Sequence, residues 1–140
     1  MLLPKVARHS SDGQVYVTYA PAGRPAEISA TTGMGAVAIF DESGALQRVL
    51  IDGSELAAPW GIALAPASFG IFGGDLLVGN FSFVESEINA FDPLSGAFLG
   101  TIDIDPGLGH GPGGLLVPGL WYWRHERQPQ YAVFHRWDRR

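Results

Sequence analysis

Asp103 and Asp105 form a carboxylate pair at alternate positions. On an extended strand, alternate side chains point the same way. A hard cation such as calcium takes about six to eight oxygen ligands, so two carboxylates do not complete a site. Asn80, Asp92 or backbone carbonyls would have to supply the rest. The same pair fits a solvated loop, which requires no further partner.

Three other side chains could meet a ligand: Trp60, Asn80 and Asp92. Trp60 could stack on a sugar or a peptide, or fill the gap between packed sheets, where its ring removes much apolar area from water. Asn80 follows Gly79 at the end of an apolar run. There it could face a cleft, or cap a loop. Asp92 and Asp41 hold equivalent places in two similar turns, where an aspartate can accept the turn's own amides. That structural role competes with a ligand role for both. His110 lies among glycines in GLGHGPGG, which deny it the fixed position that acid–base work requires. His125 and His135 are a further pair that a metal could use. The glycines of 107–114 lack the GK[ST] ending of a phosphate loop, and no GxSxG nucleophile elbow occurs. There is no cysteine, hence no thiolate and no cysteine-based metal site. No catalytic residue can be assigned.

The segments that would position these residues are short, apolar and separated by Gly, Pro, Asp, Asn and Ser, which marks strands and turns. Strands are expected over 13–20, 35–40, 45–51, 61–65, 75–78, 88–91 and 98–102. The first alternates Val15, Val17 and Tyr19 with Tyr16 and Thr18, so both of its faces should be covered. Residues 1–12 lack periodicity and read as a disordered lead-in. Residues 21–34 read as a loop, and 52–58 as a linker with a short helical turn at 54–57. Phe69 and Phe72, in the turn-rich stretch 66–74, are expected to pack as plugs.

Two parts of the chain match one another. GQVYV at 13–17 parallels GDLLV at 74–78, and AIFDESGALQRVL at 38–50 parallels NAFDPLSGAFLGTI at 89–102. Four consecutive short strands joined by turns describe one blade of a β-propeller. The expected fold is therefore all-β: a partial β-propeller of about two four-stranded antiparallel blades, too few to close a ring and so a fragment or a self-pairing piece of one. Residues 13–58 would be an incomplete blade and 59–105 a complete one. Residues 106–140 would hold a loop, the first strand of a further blade within LLVPGLWYW, and an atypical basic tail.

Composition agrees with a turn-rich β protein: 46% hydrophobic, 16% charged, with 19 Gly and 10 Pro. The net charge is -5, yet residues 121–140 carry five arginines against Glu126 and Asp138. The acidic remainder offers no surface suited to a nucleic-acid backbone. No apolar run is long enough for a membrane-crossing helix. The opening MLLPKVARHSSDG does not read as a signal peptide, which suggests a cytoplasmic chain as given.

The runs LAAPWG at 56–61, IALAPASFGIFGGDLLVGNF at 62–81 and INAFDPLSGAFLGTI at 88–102 resemble a bacterial family of uncharacterised six-bladed, NHL-like β-propeller proteins. VYVTYA at 15–20 and VAIFDESGALQR at 37–48 resemble its preceding blade. The resemblance covers about residues 13–105. It implies an exported, longer protein, located outside the cytoplasm, of which this chain is a piece. It carries over no activity and no catalytic residue.

The expected function is a non-catalytic scaffold or binding module that associates with itself or with a protein partner, without a cofactor. The alternative is a calcium-dependent, lactonase-like hydrolase. It would need three or more oxygen-bearing side chains converging on one point.

Overall fold

The structure, a computed structural model, describes residues 1–102. These form two separate four-stranded antiparallel sheets. The first contains β1 (Leu2–His9), β2 (Gln14–Pro21), β3 (Ala36–Asp41) and β4 (Leu46–Asp52). The second contains β5 (Pro59–Leu64), β6 (Leu76–Asn80), β7 (Ile88–Phe91) and β8 (Phe98–Ile102). Each sheet is a meander, its strands side by side in chain order. A five-residue helix, α1 (Arg24–Ile28), lies between β2 and β3 and starts with Pro25 in its first turn. Proline is tolerated there because the first helical N–H groups have no intrahelical partner.

The all-β expectation agrees with these sheets; the partial β-propeller does not. The described residues form two separate sheets, without a closed or curled propeller-like arrangement. The physical reason is that strand length and turn chemistry are local signals. They specify a meander, and a meander does not dictate how successive sheets are disposed around an axis. The NHL-like repeat reading falls with the propeller.

Residues 1–12 also require correction, because they contain β1. Its burial does not alternate, since it is an edge strand with a register shift between Pro4 and Ala7. Proline is acceptable on an edge strand, where its missing donor interrupts no inner ladder. The first sheet is therefore complete in its four strands. The helical turn expected at 54–57 is absent; the helix of this half of the chain is α1, inside the stretch read as a loop.

The two sheets pack through one face each. Tyr16, Val37, Ile39, Leu50 and Ile51 from the first meet Ile62, Leu76, Val78 and Phe91 from the second, with Leu56 of the linker between them. The alternation in β2 is visible here: Tyr16, Thr18 and Ala20 are buried, while Val15, Val17 and Tyr19 are only half-buried. The expected cover on both faces of β2 is thus present on one. The outer face of the second sheet has its own cover. Residues 66–74, with a 3₁₀ turn at Gly70–Phe72, bring Phe69 and Phe72 onto Leu77, Ala90, Ile88 and Ile102.

Candidate functional site

The polar side chains singled out by the sequence fall in two places. Antiparallel pairing sets Asn80 opposite Pro59 and Leu76 opposite Phe91. Trp60 and Asn80 therefore sit at one end of the second sheet, and Asp92, just beyond Phe91, at the other. Four residues of strand, about 13 Å at strand rise, separate the ends. The structure brings Trp60 near Asn80 and leaves Asp92 apart from both.

Asn80 is 1% exposed. Its Oδ1 accepts the amide of Ala57 at 2.9 Å, and its Nδ2 donates to the carbonyl of Glu55 at 3.1 Å. Asn89, on the neighbouring strand, donates to the same carbonyl at 2.8 Å and to the Glu87 carboxylate at 3.0 Å. Its Oδ1 accepts from the Thr101 hydroxyl at 2.7 Å. Two buried amides thus hold the linker 53–58 against the second sheet. A buried amide left without partners would cost about 1–3 kcal/mol, so this pair fixes the path of the linker. Sequence reasoning missed Asn89; its signal was a polar residue inside the apolar run INAF.

Asp92 is occupied by its own turn. Its Oδ1 accepts the amides of Leu94 at 2.8 Å and Ser95 at 2.6 Å. The Ser95 amide, then the Leu94 amide, hold its pKa below the ordinary carboxylate value. Asp41 repeats the arrangement in the first sheet. It accepts the Ser43 hydroxyl at 2.6 Å and the amides of Ser43 and Ala45, both at 2.9 Å. Gln47 donates to its other oxygen at 2.8 Å. The Ser43 hydroxyl bond is the largest cause of a lowered pKa here.

Trp60 lies half-buried at the junction of the two sheets. Its ring stacks on Phe81, with centroids 5.0 Å apart and planes inclined by 25°. Phe81 in turn meets Phe83 at 6.0 Å. The ammonium of Lys5 stands 5.6 Å from the Trp60 ring centroid and pairs with the carboxylate of Glu27. The side chains of this pair are 14% and 8% exposed. Burying a charged pair requires compensation, and here the ammonium also has an aromatic face beside it. The Trp60 indole N–H is buried without a hydrogen-bond partner. Neither Lys5 nor Glu27 was identifiable from sequence, because each sits in a segment without clear periodicity.

Around this junction, the loops after α1 and after β6 are tied together. The Phe83 amide donates to Ile28 at 2.9 Å, the Ser82 hydroxyl to Ala30 at 2.5 Å, and Thr32 to Glu85 at 2.5 Å. Ser82 also accepts the amides of Val84 and Glu85. Its hydroxyl is therefore a loop staple rather than a nucleophile with a base.

Asp103 and Asp105 lie outside the described residues, as do His110, His125 and His135. Among the described residues, no group of three His, Cys, Asp or Glu side chains could hold a metal. No described helix is long and apolar enough to cross a membrane. No family model, curated protein or solved structure matches the chain. Nothing in these comparisons supports the resemblance to the bacterial propeller family.

Proposed function

We propose that this chain is a non-catalytic binding module that meets a protein partner through an apolar sheet face. One contrast carries the reading. The described polar groups best placed for chemistry serve the backbone, whereas the outer face of the first sheet presents apolar side chains. Asn80, Asn89 and Ser82 hold linkers and loops, and Asp41 and Asp92 hold turns. On that outer face Val49 is 55% and Leu46 57% exposed. An open apolar surface of this kind is a mark of an interaction site.

The calcium-dependent hydrolase finds no converging ligand set among the described residues. The test uses the full chain at low concentration. It should bind an apolar dye such as bis-anilinonaphthalenesulfonate, and Val49→Asp should weaken that binding. Ester, lactone and phosphoester substrates should not turn over, with or without added calcium. Calcium-dependent turnover lost in Asp92→Asn would overturn the reading.

A further inference from the structure

Register shifts in the two sheets fall in the outer strand pairs. The inner pairs, β2–β3 and β6–β7, run without one. The outer pairs β1–β2, β3–β4, β5–β6 and β7–β8 each carry one or two. In every case the extra residue belongs to the edge strand. Pro4 and Ala7 face Tyr19 and Val17, so β1 has one residue more than its partner there. Leu50 and Gln47 are the extra residues of β4, Trp60 that of β5, and Leu99 that of β8. A bulge of this kind bends the strand and sets two residues against one on the partner.

Packing accounts for the bulges nearest the junction of the sheets. Lys5 and Val6 both turn inward, Lys5 to Glu27 and Val6 to the main core. Leu50 and Ile51 are both buried. Pro59 is buried, and Trp60 stacks on Phe81. The edges of β1 and β5 also meet there: the Thr18 hydroxyl accepts the Val6 amide at 3.2 Å and lies 3.4 Å from the Trp60 carbonyl oxygen. The bulges at Gln47 and Leu99 bring nothing inward. Leu46 to Val49 are exposed in an unbroken run, and so are Phe98 and Leu99. The two bulges stand at equivalent places, each three residues after the turn glycine, Gly44 or Gly96. Gln47 donates to Asp41 at 2.8 Å, but the aliphatic Leu99 can make no such bond. What the two share is an interrupted ladder on an outward edge.

We propose that the Gln47 and Leu99 bulges close the outward edges of the two sheets to strand addition, so that neither sheet is extended by a strand of a second chain. An edge strand presents a row of unpaired N–H and C=O groups, which templates a further strand. A bulge breaks the even spacing of that row and twists it, so a straight strand cannot bond along its length. The need is plain in β4. LQRVLID is rich in Leu, Val and Ile, has no proline, and its Arg48 and Asp52 cancel in charge. Short segments of that kind are prone to stack as cross-β ladders when their edge is open. β8, FLGTI, has neither proline nor charge, so the bulge at Leu99 carries the protection there.

Removing one extra residue tests this. Deletion of Gln47 would leave the flanking pairs, Phe40–Leu46 and Ile39–Arg48, in consecutive register; deletion of Leu99 would do the same for Phe91–Phe98 and Ala90–Gly100. Each full-length deletion variant is compared with the unaltered chain by thioflavin T binding and light scattering at increasing concentration. Circular dichroism and urea unfolding read fold and stability. Each deletion should lower the concentration at which thioflavin T-positive assemblies form by roughly tenfold or more. Gln47→Ala, which loses the bond to Asp41 and keeps the bulge, should assemble no sooner than the unaltered chain. Gly44→Ala, which weakens the same hairpin and keeps its bulges, is the destabilised control.

Deletion variants that fold and assemble no sooner than the unaltered chain overturn the proposal. So does Gly44→Ala assembling as readily as they do, since lost stability then opens the edge. If neither deletion variant folds, the extra residues serve the fold itself, and the proposal fails likewise. A synthetic LQRVLID peptide gives an independent reading on the unaltered chain. In excess, it should leave hydrogen exchange of the β4 amides unchanged; added protection of those amides would show the edge to be open and overturn the proposal.

Discussion

A Cβ placed on Gly96 would lie 2.1 Å from the carbonyl oxygen of Leu50. Gly96 belongs to the β7–β8 turn of one sheet and Leu50 to β4 of the other, so this close approach is where the second sheet's turn rests on the first sheet. Gly96 also has φ 75°, a left-handed conformation that side chains disfavour.

Gly96→Ala should therefore cost more than the conformational penalty alone, which is about 1–2 kcal/mol. Gly44 is the internal control. It closes the equivalent turn of the first sheet at φ 84°, with nothing within 4 Å of a Cβ. Urea unfolding of Gly44→Ala reads the conformational part. The additional loss in Gly96→Ala reads the clash between the sheets. Equal midpoints for the two variants would show that the sheets do not press together at this turn.

The same turns show what the sequence could disclose. The β7 and β8 boundaries at 88–91 and 98–102 were legible because their signals are local: two short, mainly apolar runs on either side of an Asp–Gly turn. The plugging role of Phe69 and Phe72 was legible from their place in a turn-rich stretch. β1 was hidden because Pro4 and Lys5 interrupt the apolar pattern of an edge strand. The disposition of the two sheets was misread as a propeller, since no local pattern encodes it. Lys5 and Glu27 were invisible as partners, because the pairing is created only when β1 and α1 come together.

The Asp turns predict how stability responds to acid. Asp41 and Asp92 both have pKa values lowered by the hydrogen bonds their carboxylates accept. In the unfolded chain they return to the ordinary value of 3.8. A depressed folded pKa contributes stability above the unfolded value and loses it as pH falls through the folded one. Stability should thus hold steady above about pH 5 and decline below about pH 4. In the double variant Asp41→Asn, Asp92→Asn, the acid decline should be shallower. An unchanged slope would mean that other carboxylates govern it.

The junction of β1, α1 and β5 should behave as a unit. Removing one member of a buried ion pair leaves the other charge uncompensated, at a typical cost of about 3–5 kcal/mol. Partial exposure and the adjacent Trp60 ring moderate that figure, so Glu27→Gln should destabilise by about 1–3 kcal/mol. Lys5→Met alone should fall in the same range, because it leaves the Glu27 carboxylate without its cation. Lys5→Met with Glu27→Gln should cost less than the two single changes added, since neither charge then remains unpaired. In a background where Trp121, Trp123 and Trp137 are replaced by Phe, fluorescence reports the loss at Trp60: the ring stands 5.6 Å from the Lys5 ammonium, and its emission should shift when that charge is removed. Strict additivity in urea unfolding, with an unshifted Trp60 spectrum in Lys5→Met, would show that the pair and the ring act independently.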